Sequence, residues 1–518
     1  MAKTNNNTNN NERGLKHKME TLSYKTLEAM NYDGYLLKDA PERVLQFGEG
    51  NFLRAFVDYF IDCMNERAGF NSKVVLCQPI AQGLSDLLNA QDCLYTLYLR
   101  GFENGGAVNN KRIISCVSRC INPYADYENY LKNAANPDLR YIVSNTTEAG
   151  IAYDPSCNFE DKPANSFPGK LTQLLYERFK LFGSQKGKGF IILSCELIDD
   201  NGKELKKIVK KYIEQWKLGS EFEKWIDDEN IFCSTLVDRI VPGYPRAEID
   251  KINEENGYKD NCVDTAECFG FWVIEGPDSI AEEIPFAKAT LPVLVTANHK
   301  PYKQRKVRIL NGAHTSFVLG AYLAGQSIVR DCMHDEVIAK FMNDTIYDEI
   351  IPTLTLPKDD CMEFAAAVTE RFKNPFIDHA LLSITLNSTS KWKARVMPSF
   401  KGYVEKFGKL PKNITASLAF YIAFFAGITG SKDNYKITEN GLMAMNGDRE
   451  YAIKDDAPVL EFYAAHKDDD SKTLSKAVLS NESFWGEDLS AYEGLTDKVA
   501  ELLDRIKAEG AYEVFKSL

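Results

Sequence analysis

The residue types best suited to chemistry fall in one short stretch, Lys303-Gln304-Arg305-Lys306-Val307-Arg308-Ile309-Leu310-Asn311-Gly312-Ala313-His314. A lysine, an asparagine and a histidine in this pattern suit the interconversion of an alcohol and a ketone. Desolvation disfavours an ammonium ion, and that makes a lysine such as Lys306 a usable base near neutral pH. Asn311 and His314 can donate hydrogen bonds to a carbonyl or alkoxide oxygen, as an oxyanion hole does. The reaction couples hydride transfer to proton transfer and needs no metal.

These residues open a predicted helix over 306–324, with Ile309, Leu310, Ala313, Phe317 and Ala321 among its apolar positions. At about 100° per residue, Lys306, Asn311 and His314 fan across roughly 140°, and Leu310 and Phe317 point into the same sector. Polar groups that share a face with core residues need a reason. The residues alone leave a second reading open. Lys303, Arg305, Lys306 and Arg308 would then be a solvated basic face, and His314 a satisfied core histidine.

A hydride donor needs its own cradle. Arg43-Val44-Leu45-Gln46-Phe47 reads as a strand, and Phe52, Ala55, Phe56, Tyr59, Phe60 and Cys63 recur with the period of an amphipathic helix. Between them lies Gly48-Glu49-Gly50-Asn51-Phe52, a Gly-x-Gly that lets the backbone approach a pyrophosphate at a helix N-terminus. Phe47, Gly48, Gly50, Asn51 and Phe52 are the expected cofactor contacts. The third glycine of the usual fingerprint is absent, so a plain tight turn stays open. A second strand over 73–78 ends at Gln78, where an acidic residue would grip a ribose 2′-hydroxyl and an arginine a 2′-phosphate. Gln78 does neither, so the residues do not choose between NAD and NADP. A further strand, 140–144, leads into Asn145-Thr146-Thr147-Glu148, small polar residues suited to a ribose or a nicotinamide and equally to a helix cap.

Another buried strand is expected over 189–195, with a helix over 170–182. Strands alternating with helices imply an α/β domain with a mostly parallel sheet. Beyond about residue 290 the text reads as helix after helix, for example 335–347, 415–426 and 495–509. The expected organisation is an N-terminal extension over 1–40, partly disordered through its Asn-rich start (Thr4 to Asn11). A Rossmann-type domain over 41–290 and a mainly helical domain over 291–518 follow, with the boundary at 285–295.

With 518 residues, two or three domains are expected. The net charge of −12 argues against nucleic acid or an anionic membrane as partner. No apolar run reaches the roughly 20 residues of a membrane span. No secretion signal is visible, and the twelve cysteines lack any Cys-x-x-Cys pair, which fits a reducing cytoplasm better than a disulfide framework or a zinc site.

The motif Lys306-x4-Asn311-x2-His314 resembles that of the long-chain polyol dehydrogenases, the mannitol dehydrogenase family. The resemblance spans roughly 40–515. It takes in Gly48-x-Gly50-x-Phe52-x-Arg54-Ala55, Thr147-Glu148-Ala149-Gly150, Val237-Asp238-Arg239-Ile240-Val241-Pro242, Arg371-Phe372-x-Asn374-Pro375 and Ser390-Lys391. It implies NAD(H), Lys306 as general base, and Asn311 and His314 as the groups that polarise the reacting oxygen. Members acting on mannitol or fructuronate usually carry Cys-Asp-Asn where this chain has Cys195-Glu196-Leu197, and polyol enzymes carry an arginine that Phe376 to Ser383 lacks. Both departures point to a branch that reduces a sugar acid. Asp238 is expected beside the lysine or on a substrate hydroxyl. Arg371, Lys391 and Arg395 are candidates for the substrate carboxylate. The competing expectations are a sister sugar-acid or polyol activity, and a non-catalytic NAD(H)-binding regulator.

Overall fold

The computed structural model describes residues 19–103, 106–147 and 149–518. The Asn-rich tail and Glu148 lie outside them. Up to residue 296 the described chain forms β1 (Glu42–Phe47), β2 (Lys73–Cys77), β3 (Tyr95–Glu103), β4 (Gly106–Ile114), β5 (Val117–Ile121), β6 (Tyr141–Ser144), β7 (Ile191–Ser194), β8 (Ile231–Asp238), β9 (Asp264–Glu267), β10 (Phe271–Glu275) and β11 (Val293–Thr296). Eight of these make one sheet in the order β11-β10-β8-β7-β6-β1-β2-β5. Its pairs are parallel except β8 with β10.

The central strands are short and apolar because both faces are covered. Along them, alternate residues serve opposite cores. Val44, Leu76 and Val143 pack with Phe56, Phe60 and Trp272. Leu45, Val75 and Ile142 pack with Leu171, Leu174 and Val209. The sequence does not announce a second sheet, β4-β3-β9, on which residues after 19 settle: Leu22 and Leu27 are buried against Leu94, Ile113 and Tyr258.

The C-terminal half is built around two helices, Gly312–Leu323 and Lys412–Ala426, whose residues are buried almost without exception. A helix that is apolar all round belongs inside a core. The expectation of helix after helix misses an antiparallel meander of β12 (Lys436–Thr438), β13 (Gly441–Asn446) and β14 (Arg449–Ile453). Its signal is present, since Asn440-Gly441 and Asn446-Gly447 are turn pairs. Its strands are three to six residues long, too short to show a period.

Two helices depart from α geometry at informative places. The helix after the glycine turn widens into a π turn at Arg54–Asp58, and Lys306–Asn311 forms a second π turn between the helices Lys300–Arg305 and Gly312–Leu323. In a π turn residues i and i+5 are hydrogen-bonded neighbours. Lys306 and Asn311 are five apart, so the α-helical arc expected from the sequence closes and the two share one side of the helix. Among the described residues, no helix is long and apolar enough to cross a membrane.

Candidate active site

The sheet's strand order reverses direction about β1, whose neighbours are β6 and β2. Open α/β sheets bind ligands in the crevice beyond the strand ends at such a switch point. Here the two polar turns meet: Asn145 N–H donates to the Phe47 carbonyl at 3.1 Å, and Gly48 N–H to Cys77 at 3.0 Å. Gly48 holds φ +122°, and a Cβ added to it would lie 3.1 Å from the Asn145 carbonyl oxygen. A side chain at Gly50 would meet no protein atom within 4 Å. This open, glycine-floored edge fits a dinucleotide, whose pyrophosphate needs close backbone approach.

A cleft of about 630 Å³ lies over this edge, lined by Phe52, Asn145, Thr147, Ala149, Leu197, Val237, Arg239 and Lys306. It joins the nucleotide turn to the lysine of the helical half. Other expected cofactor residues serve the wall instead. Phe47 contributes only its backbone, because its ring is fully buried against Tyr130 and Phe167. Thr146 donates through both N–H and Oγ1 to the buried Glu196 carboxylate at 3.1 Å, and Ser144 Oγ joins them. Burial raises the Glu196 pKa. Asn51 Oδ1 accepts from Arg54 at 2.7 Å. Gln78 is a correction: it is buried, donates to the Ile80 carbonyl at 2.8 Å, and shapes its own loop rather than a ribose site.

Lys306 Nζ donates to the Val237 carbonyl at 2.8 Å and lies 3.4 Å from Asp238 Oδ1. Asp238 is in turn held by Arg371 through bonds of 2.9 and 3.3 Å. The same guanidinium donates to Glu267 at 2.7 and 2.9 Å and stacks over Phe269. Arg371 is therefore a second correction. Four of its five N–H groups point at buried carboxylates, so its first role is to hold this cluster together. Neither Glu267 nor this buried triad stands out in the sequence, where Arg371 lies more than a hundred residues from both carboxylates.

His314 is 7% exposed and stacks on Phe372 at 4.0 Å, with His379 meeting it edge-on at 5.5 Å. Its Nε2 is buried without a partner among the described residues. Burial, and then the charges of His379, Arg371, Arg395 and Lys391, push its pKa well below the usual histidine value. The ring is neutral at pH 7, so it acts as a hydrogen-bonding group rather than an acid. Asn311 is half-buried beside it, and Lys391 and Arg395 lie on the helix Ser388–Arg395. A separate acidic cluster, Asp200 and Glu275 with His299, has the spacing of metal ligands, but the Lys203 ammonium already sits 2.7 Å from Glu275 and 3.1 Å from Asp200.

The chain matches two family profiles end to end, the mannitol dehydrogenase Rossmann domain over residues 42–288 and the mannitol dehydrogenase C-terminal domain over 298–507. It is 45% identical over 497 residues to the altronate oxidoreductase of Bacteroides thetaiotaomicron, covering 95% of this chain and 100% of that protein. Two solved structures share its fold at 21% identity and 96% of its length. One is a substrate-free D-sorbitol dehydrogenase (TM-score 0.79, 100% of that chain). The other is the Pseudomonas fluorescens mannitol 2-dehydrogenase in a ternary complex with NAD and D-mannitol (TM-score 0.67, 99% of that chain). On these matches and this architecture, the chain belongs to the mannitol dehydrogenase family.

Proposed function

We propose that the protein reduces D-tagaturonate to D-altronate with NADH, reversibly, in hexuronate breakdown, with Lys306, Asn311 and His314 around the reacting oxygen. The observation that carries this reading is the single cleft that Lys306 shares with Phe52, Asn145 and Thr147. The identity to an altronate oxidoreductase over the whole of its length supports the substrate. The family's fold, seen with NAD in the mannitol 2-dehydrogenase complex, supports the cofactor. Eleven buried cysteines suit a reducing cytoplasm.

Gly48, Gly50, Asn51 and Phe52 floor the nucleotide site, and Asn145 and Thr147 form its edge. NADH supplies the hydride when bound. An ammonium has three donors. Lys306 directs one to Val237 and one towards Asp238, which leaves the third for the ketone oxygen. As charge builds on that oxygen, Lys306 releases its proton to it. Asn311 and neutral His314 donate hydrogen bonds to the same atom, and the orphaned Nε2 gains the partner that a buried polar atom requires. The triad of Asp238, Arg371 and Glu267 holds the lysine's neighbour still.

NADH oxidation, followed by absorbance with D-tagaturonate and in parallel with D-fructuronate and with NADPH, tests this. Turnover confined to tagaturonate and NADH is the expected result. Turnover only with fructuronate moves the chain to the sister activity. NADH binding with no turnover of either acid points to a regulator and ends the enzymatic reading.

A further inference from the structure

The helix Ser388–Arg395 carries Lys391 and Arg395 one turn apart. Like charges at this spacing repel. Lys391 donates to the Ile384 carbonyl at 2.8 Å. Arg395 is half-buried, and its side chain makes no hydrogen bond or ion pair with any described residue. Three other arginines near the cleft are committed. Arg371 holds Asp238 and Glu267, Arg239 donates to the carbonyls of Ala55, Cys268 and Phe269, and Arg308 donates to Ser399.

The Arg395 backbone packs against the turn that carries Asn311, and the charges of Arg395 and Lys391 act on the buried His314 ring. A Cβ built on Gly312, next to Asn311, would lie 3.2 Å from the Arg395 carbonyl oxygen. His379 borders the same region, its ring perpendicular to that of His314. We infer that Arg395, with Lys391 and His379, forms the subsite that takes the substrate's carboxylate. This rests on the reading of Lys306, Asn311 and His314 as the site of the ketone. A hexuronate carries its ketone and its carboxylate towards opposite ends of a six-carbon chain, so it needs a cation displaced from the reaction centre. Arg395 supplies a planar fork there, the geometry that matches a carboxylate with two hydrogen bonds. His379 adds a third donor and stands within the stretch that lacks the polyol enzymes' arginine.

The test is a calorimetric titration of D-altronate into wild type, Arg395→Gln, Arg395→Lys and Lys391→Gln, each with NAD present. D-altritol, the same chain without the carboxylate, is the control. Arg395→Gln is expected to weaken altronate about 10- to 100-fold, the worth of hydrogen bonds to a charged group. Arg395→Lys should weaken it less, and altritol should scarcely distinguish the proteins. Equal altronate affinity in wild type and Arg395→Gln overturns the subsite, as does an equal loss for altritol or a wild type that does not bind altronate. Unchanged altronate binding by Arg395→Gln in an enzyme that reduces tagaturonate discards the subsite and keeps the reaction. Weakened binding in a protein that reduces nothing does the reverse.

Discussion

At the scale of single residues, Lys306 is fixed before any substrate arrives. Its ammonium is anchored by a strand-end carbonyl and a carboxylate that is itself clamped. Positioning of this kind is what general acid–base catalysis requires. Lys306→Ala is expected to lower kcat about 10²- to 10⁴-fold while NADH still binds. Stopped-flow reduction of tagaturonate alongside NADH fluorescence checks both halves, and a loss under tenfold removes Lys306 as the proton donor. The sequence makes candidates of this lysine, Asn311 and His314 because their types are out of place on an apolar face, and the family resemblance chooses that reading over a solvated basic face. Arg371 was misread for the opposite reason. Its role is set by Asp238 and Glu267, and nothing local in the sequence brings those two carboxylates to it.

At the scale of elements, Arg371 ties the helix Lys358–Phe372 to the ends of β8 and β9, and so joins the helical half to both sheets. Removing one partner of a buried ion cluster leaves the rest uncompensated. Arg371→Met is expected to destabilise the protein by about 3–5 kcal/mol. Thermal melting reads this directly, and a variant with a wild-type melt but a raised KM would return Arg371 to the substrate. The turn after β1 makes a separate prediction. Gly48 holds a backbone angle that L side chains avoid, with the Asn145 carbonyl close by. Gly48→Ala should weaken NADH binding and cost about 1–3 kcal/mol of stability, visible in a fluorescence titration and a urea melt. The central strands were legible because their few residues are almost all apolar, and the long helices because their apolar residues repeat with a helical period. The hairpin of β3 and β4 and the meander of β12 to β14 were not: β3 is buried and β4 mostly exposed, so neither alternates, and the meander strands are too short to show a period.

At the scale of the whole molecule, two apolar bodies meet with the cleft of Lys306 between them, and charge is buried on the sheet side of it. Asp58 is wholly buried, accepts from Tyr95 at 3.1 Å, and has its pKa pushed up to about 7 by desolvation. The native state then keeps a proton that the unfolded chain releases near the ordinary value of 3.8. Stability from this group falls as pH rises from that value to about 7 and does not recover above it. Asp58→Asn removes the fall. Relative to wild type, it should gain about 1 kcal/mol between pH 6 and pH 8 in urea midpoints. An advantage that does not grow with pH would contradict the assignment. Asp58 closes one π turn, and Asn311, from the other body, closes another. Each such turn holds one residue more than the α-helix around it would. Deletion of a single residue within 306–311 would remove that extra residue and let the helix relax to ordinary pitch with its flanks in register, whereas the same deletion in a regular stretch of helix rotates everything ahead of it by roughly 100°. These two segments should therefore accept the loss of one residue without unfolding the helices around them, and a scan of one-residue deletions read by thermal melting would find them as permissive points between intolerant stretches.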